Sequence, residues 1–227
     1  MLDIRQAGSI ANDSRNDEDA TRASAYGWVT FVTPILLTAY LVVFAATVLN
    51  GLPFQNRRAE SLVSWGASYG PLTLSGQWWR LISSPFLNFG IDLFVNMVIF
   101  LNVAAFLEVA LGGVTMLALF MFAGAAGGAV SLAWHPQMVS AGPAGALFGL
   151  VGALGAFLLC HRHSVPRERL TGPGRGAALL VFYTILVGLA NPSIVDLAAC
   201  IGGLSAGLFG GLVVARPRVR SGEQQQN

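Results

Sequence analysis

Six stretches of this chain are long and apolar enough to bury a helix in hydrocarbon, and that leaves little freedom in what the chain can become. A helix crosses the bilayer core with roughly 20 predominantly apolar residues. The candidates are Trp28–Leu49, Leu87–Leu107, Val114–Trp134, Pro143–Cys160, Ala177–Ala190 with its flanks, and Ile194–Ala215, of which the fifth is the shortest. Of the 227 residues, 54% are hydrophobic and 11% are charged, far from the balance of a soluble domain. No soluble domain of any size fits between the spans. The expectation is an all-α membrane protein with one membrane domain, residues 27–215, flanked by polar tails at 1–26 and 216–227.

The amino-terminal stretch carries Asp3, Asp13, Asp17, Glu18 and Asp19 against Arg5, Arg15 and Arg22. It lacks the apolar core of a cleaved signal peptide and reads as a disordered tail ahead of an uncleaved anchor. Orientation follows from arginine alone, because the chain contains no lysine. With six spans, both termini share a side with the turns after spans two and four. That side holds Arg5, Arg15, Arg22, Arg162, Arg167, Arg169, Arg175, Arg216, Arg218 and Arg220, and the other holds Arg57, Arg58 and Arg80. The excess of positive charge predicts that both termini are cytoplasmic. The net charge of +2 is this loop bias and gives no reason to expect a nucleic acid as partner. The bilayer itself is the partner that composition implies.

Cys160 ends span four on the cytoplasmic side, whereas Cys200 lies in span six nearer the outside, so no disulfide framework is expected. No CxxC pair and no HExxH occurs, hence no metal site is expected, and no cofactor is implied. The longest connection, Gly51 to Phe86, mixes Trp65, Tyr69, Trp78 and Trp79 with Pro53, Pro71, Gly66, Gly70 and Gly76. Aromatics with a wet edge and an apolar body favour the membrane interface, which predicts a loop lying partly in the outer leaflet. The alternative is an ordinary external loop.

Small residues recur at helix-packing intervals in three spans. Span six has Gly203, Gly207 and Gly211 on one stripe, with Gly202, Ala206 and Gly210 on the next. Span four has Gly145, Gly149, Gly152 and Ala156, and span three has Gly124, Gly127 and Gly128. In lipid, such runs let helix backbones approach closely, so a tightly packed bundle is expected. Cys200 precedes Gly203 and Gly207 on the same face. If that face meets span four, Cys200 looks toward the helix that begins at Ala144.

Four motifs, in order and on the right spans, resemble the rhomboid family of intramembrane serine proteases across about residues 76 to 212. "WWRLISSPFLN" (Trp78–Asn88), with Trp79 and Arg80, resembles the family's WR motif at the end of the first external loop. "LEVALGG" (Leu107–Gly113) resembles its Glu-xxx-Gly turn after span two, through Glu108 and Gly112. "SAGPAGALFG" (Ser140–Gly149), with Phe148 inside it, resembles the Gly-x-Ser-Gly turn that opens span four. "NPSIVDLAACIGGLSAG" (Asn191–Gly207) resembles the last span, where the family has Ala-His followed by glycines. The resemblance implies a six-transmembrane-helix rhomboid-type bundle with a cleft among spans two, four, five and six.

It also implies chemistry that this chain does not carry. A serine opening span four attacks the peptide carbonyl, a histidine on span six takes its proton, and a histidine and an asparagine on span two stabilise the oxyanion. Here Ala144 stands at the serine position and Cys200 at the histidine position. Asp92 stands at the oxyanion histidine, while Asn96 keeps the asparagine and Gly142 the turn. The histidine count points the same way without any family: His161 and His163 flank a cytoplasmic loop and His135 sits in the outer "AWHPQ". No span then holds an imidazole to serve as base. Cys200, in an apolar span with no cation near, reads as a buried inert thiol.

Three acids lie near span ends and are candidates for function by that fact. Glu108 and Asp196 occupy positions where the resemblance implies structural hydrogen bonding. Asp92 is a departure, since a carboxylate repels an oxyanion unless it is protonated. An aspartyl-type pair of Asp92 with Asp196 has no surrounding motif. The expected function is a rhomboid-like pseudoprotease that keeps the packing and does not cut, with a cleft able to bind transmembrane segments of client membrane proteins. Two alternatives remain: an active intramembrane endopeptidase using non-standard groups, and a small-solute pathway through Asp92 and Asp196. Arginine without lysine, with many alanines and glycines, points to a bacterial cell membrane.

Overall fold

The computed structural model describes residues 31–50, 59–88, 90–161, 167–190 and 195–215. Six of its helices are long and apolar enough to cross a membrane: α1 (Val32–Leu49), α5 (Gly90–Leu111), α6 (Gly113–Trp134), α7 (Ala144–His161), α8 (Arg167–Ala190) and α9 (Leu197–Val214). Between α1 and α5 the connection folds into three short helices, α2 (Ala59–Ser64), α3 (Gly70–Leu74) and α4 (Arg80–Ser83), and a 3-10 turn at Ser84–Phe86. The chain is thus an integral, multi-pass membrane protein built as an all-α bundle. Both tails, at 1–26 and 216–227, lie outside the described residues. So do Arg5, Arg15, Arg22, Arg57, Arg58, Arg162, Arg216, Arg218 and Arg220, on which the orientation mostly rests.

The centre of the bundle is α9, which packs most extensively on α7 and then on α6. Glycine makes this possible. A Cβ placed on Gly203 would stand 1.9 Å from the Gly145 carbonyl oxygen, and one on Gly207 only 1.8 Å from that of Gly149. On the other flank, a Cβ on Gly127 would come within 2.6 Å of the Ala199 carbonyl oxygen. The stripe anticipated on span six therefore does meet span four, backbone against backbone, and dispersion at that range holds helices together in lipid. Beside it lies an aromatic cluster. Tyr40, Phe86, Phe100 and Phe120 meet edge-on or tilted at centroid separations of 5.5 to 6.5 Å.

Several boundaries differ from those expected. Span two begins at Gly90 instead of Leu87, because the 3-10 turn around Pro85 precedes it. It runs on to Leu111, so Glu108 lies in its last turn and not in a turn beyond it. The charge does not end the helix because it has donors of its own. Glu108 is 4% exposed and accepts from the Val32 and Thr33 N–H groups, each at 2.8 Å, and from the Thr33 hydroxyl at 2.5 Å. These are orphan amides of the start of α1, and a carboxylate there also favours the helix dipole.

Span five, expected to be the shortest, has an apolar stretch of 18 residues, Leu170–Val187, as short as any of the six, but it lies in the longest helix among the described residues, at 24 residues. It continues through Gly172, Pro173 and Gly174, residues that read as breakers. Close packing overrides their propensity: a Cβ on Gly176 would lie 2.8 Å from the Asn102 side chain of α5. Finally, span four runs one residue beyond Cys160, so that His161, expected to flank a loop, is the last residue of α7.

The connection between α1 and α5 is tied down by Arg80. Its guanidinium is buried, at 6% exposure, donating to the carbonyls of Val63 and Ala67 at 2.6 and 3.0 Å and to Gln77 at 2.7 Å, 4.9 Å from the face of Trp79. Carbonyl acceptors around a buried cation supply what water no longer does. A two-way backbone pairing of Ser68 with Ser140 fastens the connection to the strand of chain leading into α7. Leu74, Trp78, Trp79 and Ile82 remain on the outside.

Candidate functional site

α5, α7 and α9 all start at one end of the bundle, and the second half of α8 passes alongside them. Among these four lies a cleft of about 90 Å³, room for a few water molecules or one polar side-chain head. Its lining includes Asp92 and Asn96 of α5, Ala144 of α7, Tyr183 of α8, and Asp196 and Ala199 at the start of α9.

The floor is the turn into α7. Gly142 adopts φ of +123°, a backbone that side chains other than hydrogen rarely permit, and its N–H donates to the Ser84 carbonyl at 2.9 Å. Pro143 follows, and its carbonyl accepts from Leu147 as the helix opens. The chain thus delivers residue 144 abruptly to the cleft, where Ala144 contributes only a methyl group. Gly145 and Gly149, next along α7, are buried against α9 and α6, and half-buried Phe148 packs against the main core.

On α9, Ala199 lines the cleft while Cys200, one position on, is 4% exposed, and its N–H donates to the Asp196 carbonyl. Both cysteines are free. Asp196 caps α9 through the Ala199 N–H at 2.9 Å. Its other oxygen accepts from the Ser140 hydroxyl at 2.6 Å and from the Ser131 hydroxyl. One carboxyl therefore joins the end of α6, the link to α7 and the start of α9.

Asp92 serves a different pair, accepting from the Tyr183 hydroxyl and so bridging α5 to α8. Each aspartate has partners of its own on different helices. Asn96 donates to Asn88 at 3.3 Å. Trp79, Arg80, Glu108 and Gly112 stand away from the cleft: the first two brace the connection between α1 and α5, and the last two close the opposite end of α5, where Gly112 takes φ of +89°. Among the described residues, no group of three or more His, Cys, Asp or Glu side chains is placed to hold a metal ion.

Tyr183, Ser131 and Thr33 pair with the acids across separations of 91, 65 and 75 positions and belong to none of the four motifs. Nothing local marks them. Ser140 and Asn88 stood inside quoted motifs without being assigned a task, and a polar residue at the mouth of an apolar span was the signal available.

A six-span helical membrane protein, with a polar cleft where its second, fourth and sixth spans begin, is the class that this fold and site define. The Rhomboid domain model matches residues 75–217, more than half of the chain, and the protein belongs to the rhomboid family. It is 28% identical over 207 residues to Rhomboid protease GluP of Bacillus subtilis (strain 168), an alignment covering 90% of this chain and 39% of that one. RHOMBOID-like protein 5 of Arabidopsis thaliana is 31% identical over 220 residues, 82% of this chain and 68% of the plant protein. RHOMBOID-like protein 7 of the same plant is 28% identical over 228 residues, 87% of this chain and 71% of that one. The chain spans about two fifths of the length of the Bacillus relative and about two thirds of the plant ones.

Proposed function

We propose that this protein is a rhomboid-like pseudoprotease, one that keeps the family's helix packing, does not cut, and uses its cleft to bind or sequester membrane-spanning segments of client proteins. The observation that carries this reading is the methyl of Ala144 at the turn into α7, on the cleft floor, at the position matching the family's serine. Cys200 stands at the position of the histidine. A nucleophile and its base act as a unit, so replacing both removes the reaction and leaves the shape of the site. His135 is exposed at the end of α6. His161 ends α7, about 25 Å along the helix from Ala144. Asp92, at the oxyanion histidine, accepts a hydrogen bond where the reaction needs a donor. By the arginine bias, both termini face the cytoplasm, in a bacterial cell membrane.

The test is a cleavage assay of the purified full chain, reconstituted in vesicles with single-span model substrates of the kind cut by rhomboid proteases. No product is expected above a no-protein control. Reproducible cleavage that disappears with Cys200→Ala or Asp92→Asn would overturn the reading and make the chain an endopeptidase with non-standard groups.

A further inference from the structure

We propose that the outward flank of α8 binds an anionic phospholipid, with its phosphate held by Arg175 and an acyl chain lying along Leu179, Phe182 and Leu186. The apolar stretch of α8, Leu170–Val187, is the least buried of the six, and Arg175 lies inside it. Arg175 is exposed and has no hydrogen-bond or ion-pair partner among the described residues. Its neighbours fix the side it occupies. Gly176 is buried on α5, where an added Cβ would stand 2.8 Å from the Asn102 side chain, whereas one added at Gly174 meets nothing within 4 Å. Arg175 sits between that contact and open space.

The acids among the described residues leave this cation unmatched. Glu108 is held by the first residues of α1, while Glu60, Asp92 and Asp196 belong to the other end of the bundle. Asn102, beside Gly176 on α5, donates its amide to the Val98 carbonyl at 2.7 Å. A cation within an apolar span is costly unless it reaches an anion or water. Helix geometry says where this one reaches. The Cα–Cβ bond of a helical residue tilts toward the helix N-terminus, and α8 begins at Arg167, the end away from the cleft. Arg175 lies five residues inside the apolar stretch, about 7.5 Å of helix rise, a depth that an arginine stem crosses to bring its head to the headgroup layer.

A second and independent observation runs the other way along the helix. Leu179, Phe182 and Leu186 follow Arg175 at steps of four, three and four residues, which puts all four on one face, and the three apolar ones are exposed. The face is therefore a cation at the membrane boundary followed by an apolar track about 16 Å long. That order, charge outside and hydrocarbon inside, is the order within a single phospholipid. The planar guanidinium fork matches two phosphate oxygens at once. A head without a cation of its own is preferred, because choline or ethanolamine brings positive charge to a site with no described acid to receive it.

The experiment reads lipid composition beside this one residue. The full chain, with Cys160→Ser and with Ala178→Cys to carry a bimane label on the exposed flank one turn from Arg175, is reconstituted in phosphatidylcholine vesicles. A minor fraction of the lipid is brominated phosphatidylglycerol or brominated phosphatidylcholine, which quench the label only at short range. Both leaflets contain the quencher, so the direction of insertion does not enter. Phosphatidylglycerol is expected to be enriched about fivefold over phosphatidylcholine at the label, the usual effect of one arginine near an anionic surface. Arg175→Gln should bring that ratio close to one, and Arg175→Leu, which suits a lipid-facing position, stands in if the glutamine variant lowers the unfolding temperature. Equal quenching by the two lipids in the chain that keeps Arg175 overturns the proposal. A ratio that survives loss of Arg175 belongs to other arginines and overturns the placement. Displacement of phosphatidylglycerol by a single-span peptide with Asp near its boundary, and not by its Leu counterpart, overturns the lipid as occupant in favour of an acidic membrane segment.

Discussion

Glu108 and Asp92 sit on one helix and show two uses of a carboxyl in a membrane. Glu108, at the far end of α5 from the cleft, accepts three hydrogen bonds from the first residues of α1 and has no room for a ligand. Asp92, at the cleft end, accepts from Tyr183 and lines a cavity. The first is structural; on the pseudoprotease reading proposed above, the second occupies a place where catalysis would want a donor. If the site is a preserved shape lacking its reagents, restoring them should restore reactivity. Ala144→Ser with Cys200→His is expected to place hydroxyl and imidazole within hydrogen-bond reach, with Asp92→His supplying the missing donor. The triple variant should label with a fluorophosphonate probe for serine hydrolases while the unaltered chain does not. A folded triple variant that stays unlabelled would show that the cleft has diverged beyond those three positions. The two positions without a reagent were legible from sequence because each sits inside a short motif. The partners of the acids were not, because a hydrogen bond between Tyr183 and Asp92 leaves no mark on the residues adjacent to either.

Among the helices, the α7–α9 contact depends on the absence of side chains, and the glycines of these two helices are not equivalent. A methyl added at Gly207 would collide with the Gly149 carbonyl at 1.8 Å, whereas one added at Gly155 meets nothing within 4 Å. Gly207→Ala should therefore destabilise the protein by about 2 kcal/mol or more, the usual range for overpacking a close contact. Gly155→Ala should change stability by no more than about 1 kcal/mol, in the favourable direction that helix propensity gives. Thermal unfolding of both variants in the same detergent is the check, and similar losses from the two would mean that glycine flexibility, and not approach distance, is what matters. The spacing of these glycines was readable in advance because it is periodic. The extent of α8 was not, since Pro173 and its neighbouring glycines carry a local signal for ending a helix that packing on α5 overrides.

At the scale of the molecule, span number and order follow from hydropathy alone, since apolar length is the one quantity the bilayer reads directly. The cleft's position depends on which helix ends share a side, and that alternation comes with the count. The direction of insertion can be tested with the two cysteines. Cys160 is half-buried at the end of α7 and Cys200 is buried near the start of α9. With both termini cytoplasmic, a membrane-impermeant maleimide should label Cys160 in inside-out vesicles and not in sealed cells. Cys200 should stay unlabelled in both until the protein is denatured. Labelling of Cys160 from the cell exterior would reverse the topology.

The glycine-lined slot has a consequence for biosynthesis. α9 is the last of the six spans to leave the ribosome, yet it is the one that α6 and α7 both close upon. Until it arrives, those two helices present to lipid a groove of bare carbonyls and glycines with no side chains to fill it. A nascent chain halted before residue 197 would be a five-span intermediate with its central seam open, the sort of surface that membrane quality-control machinery or a neighbouring helix is able to engage.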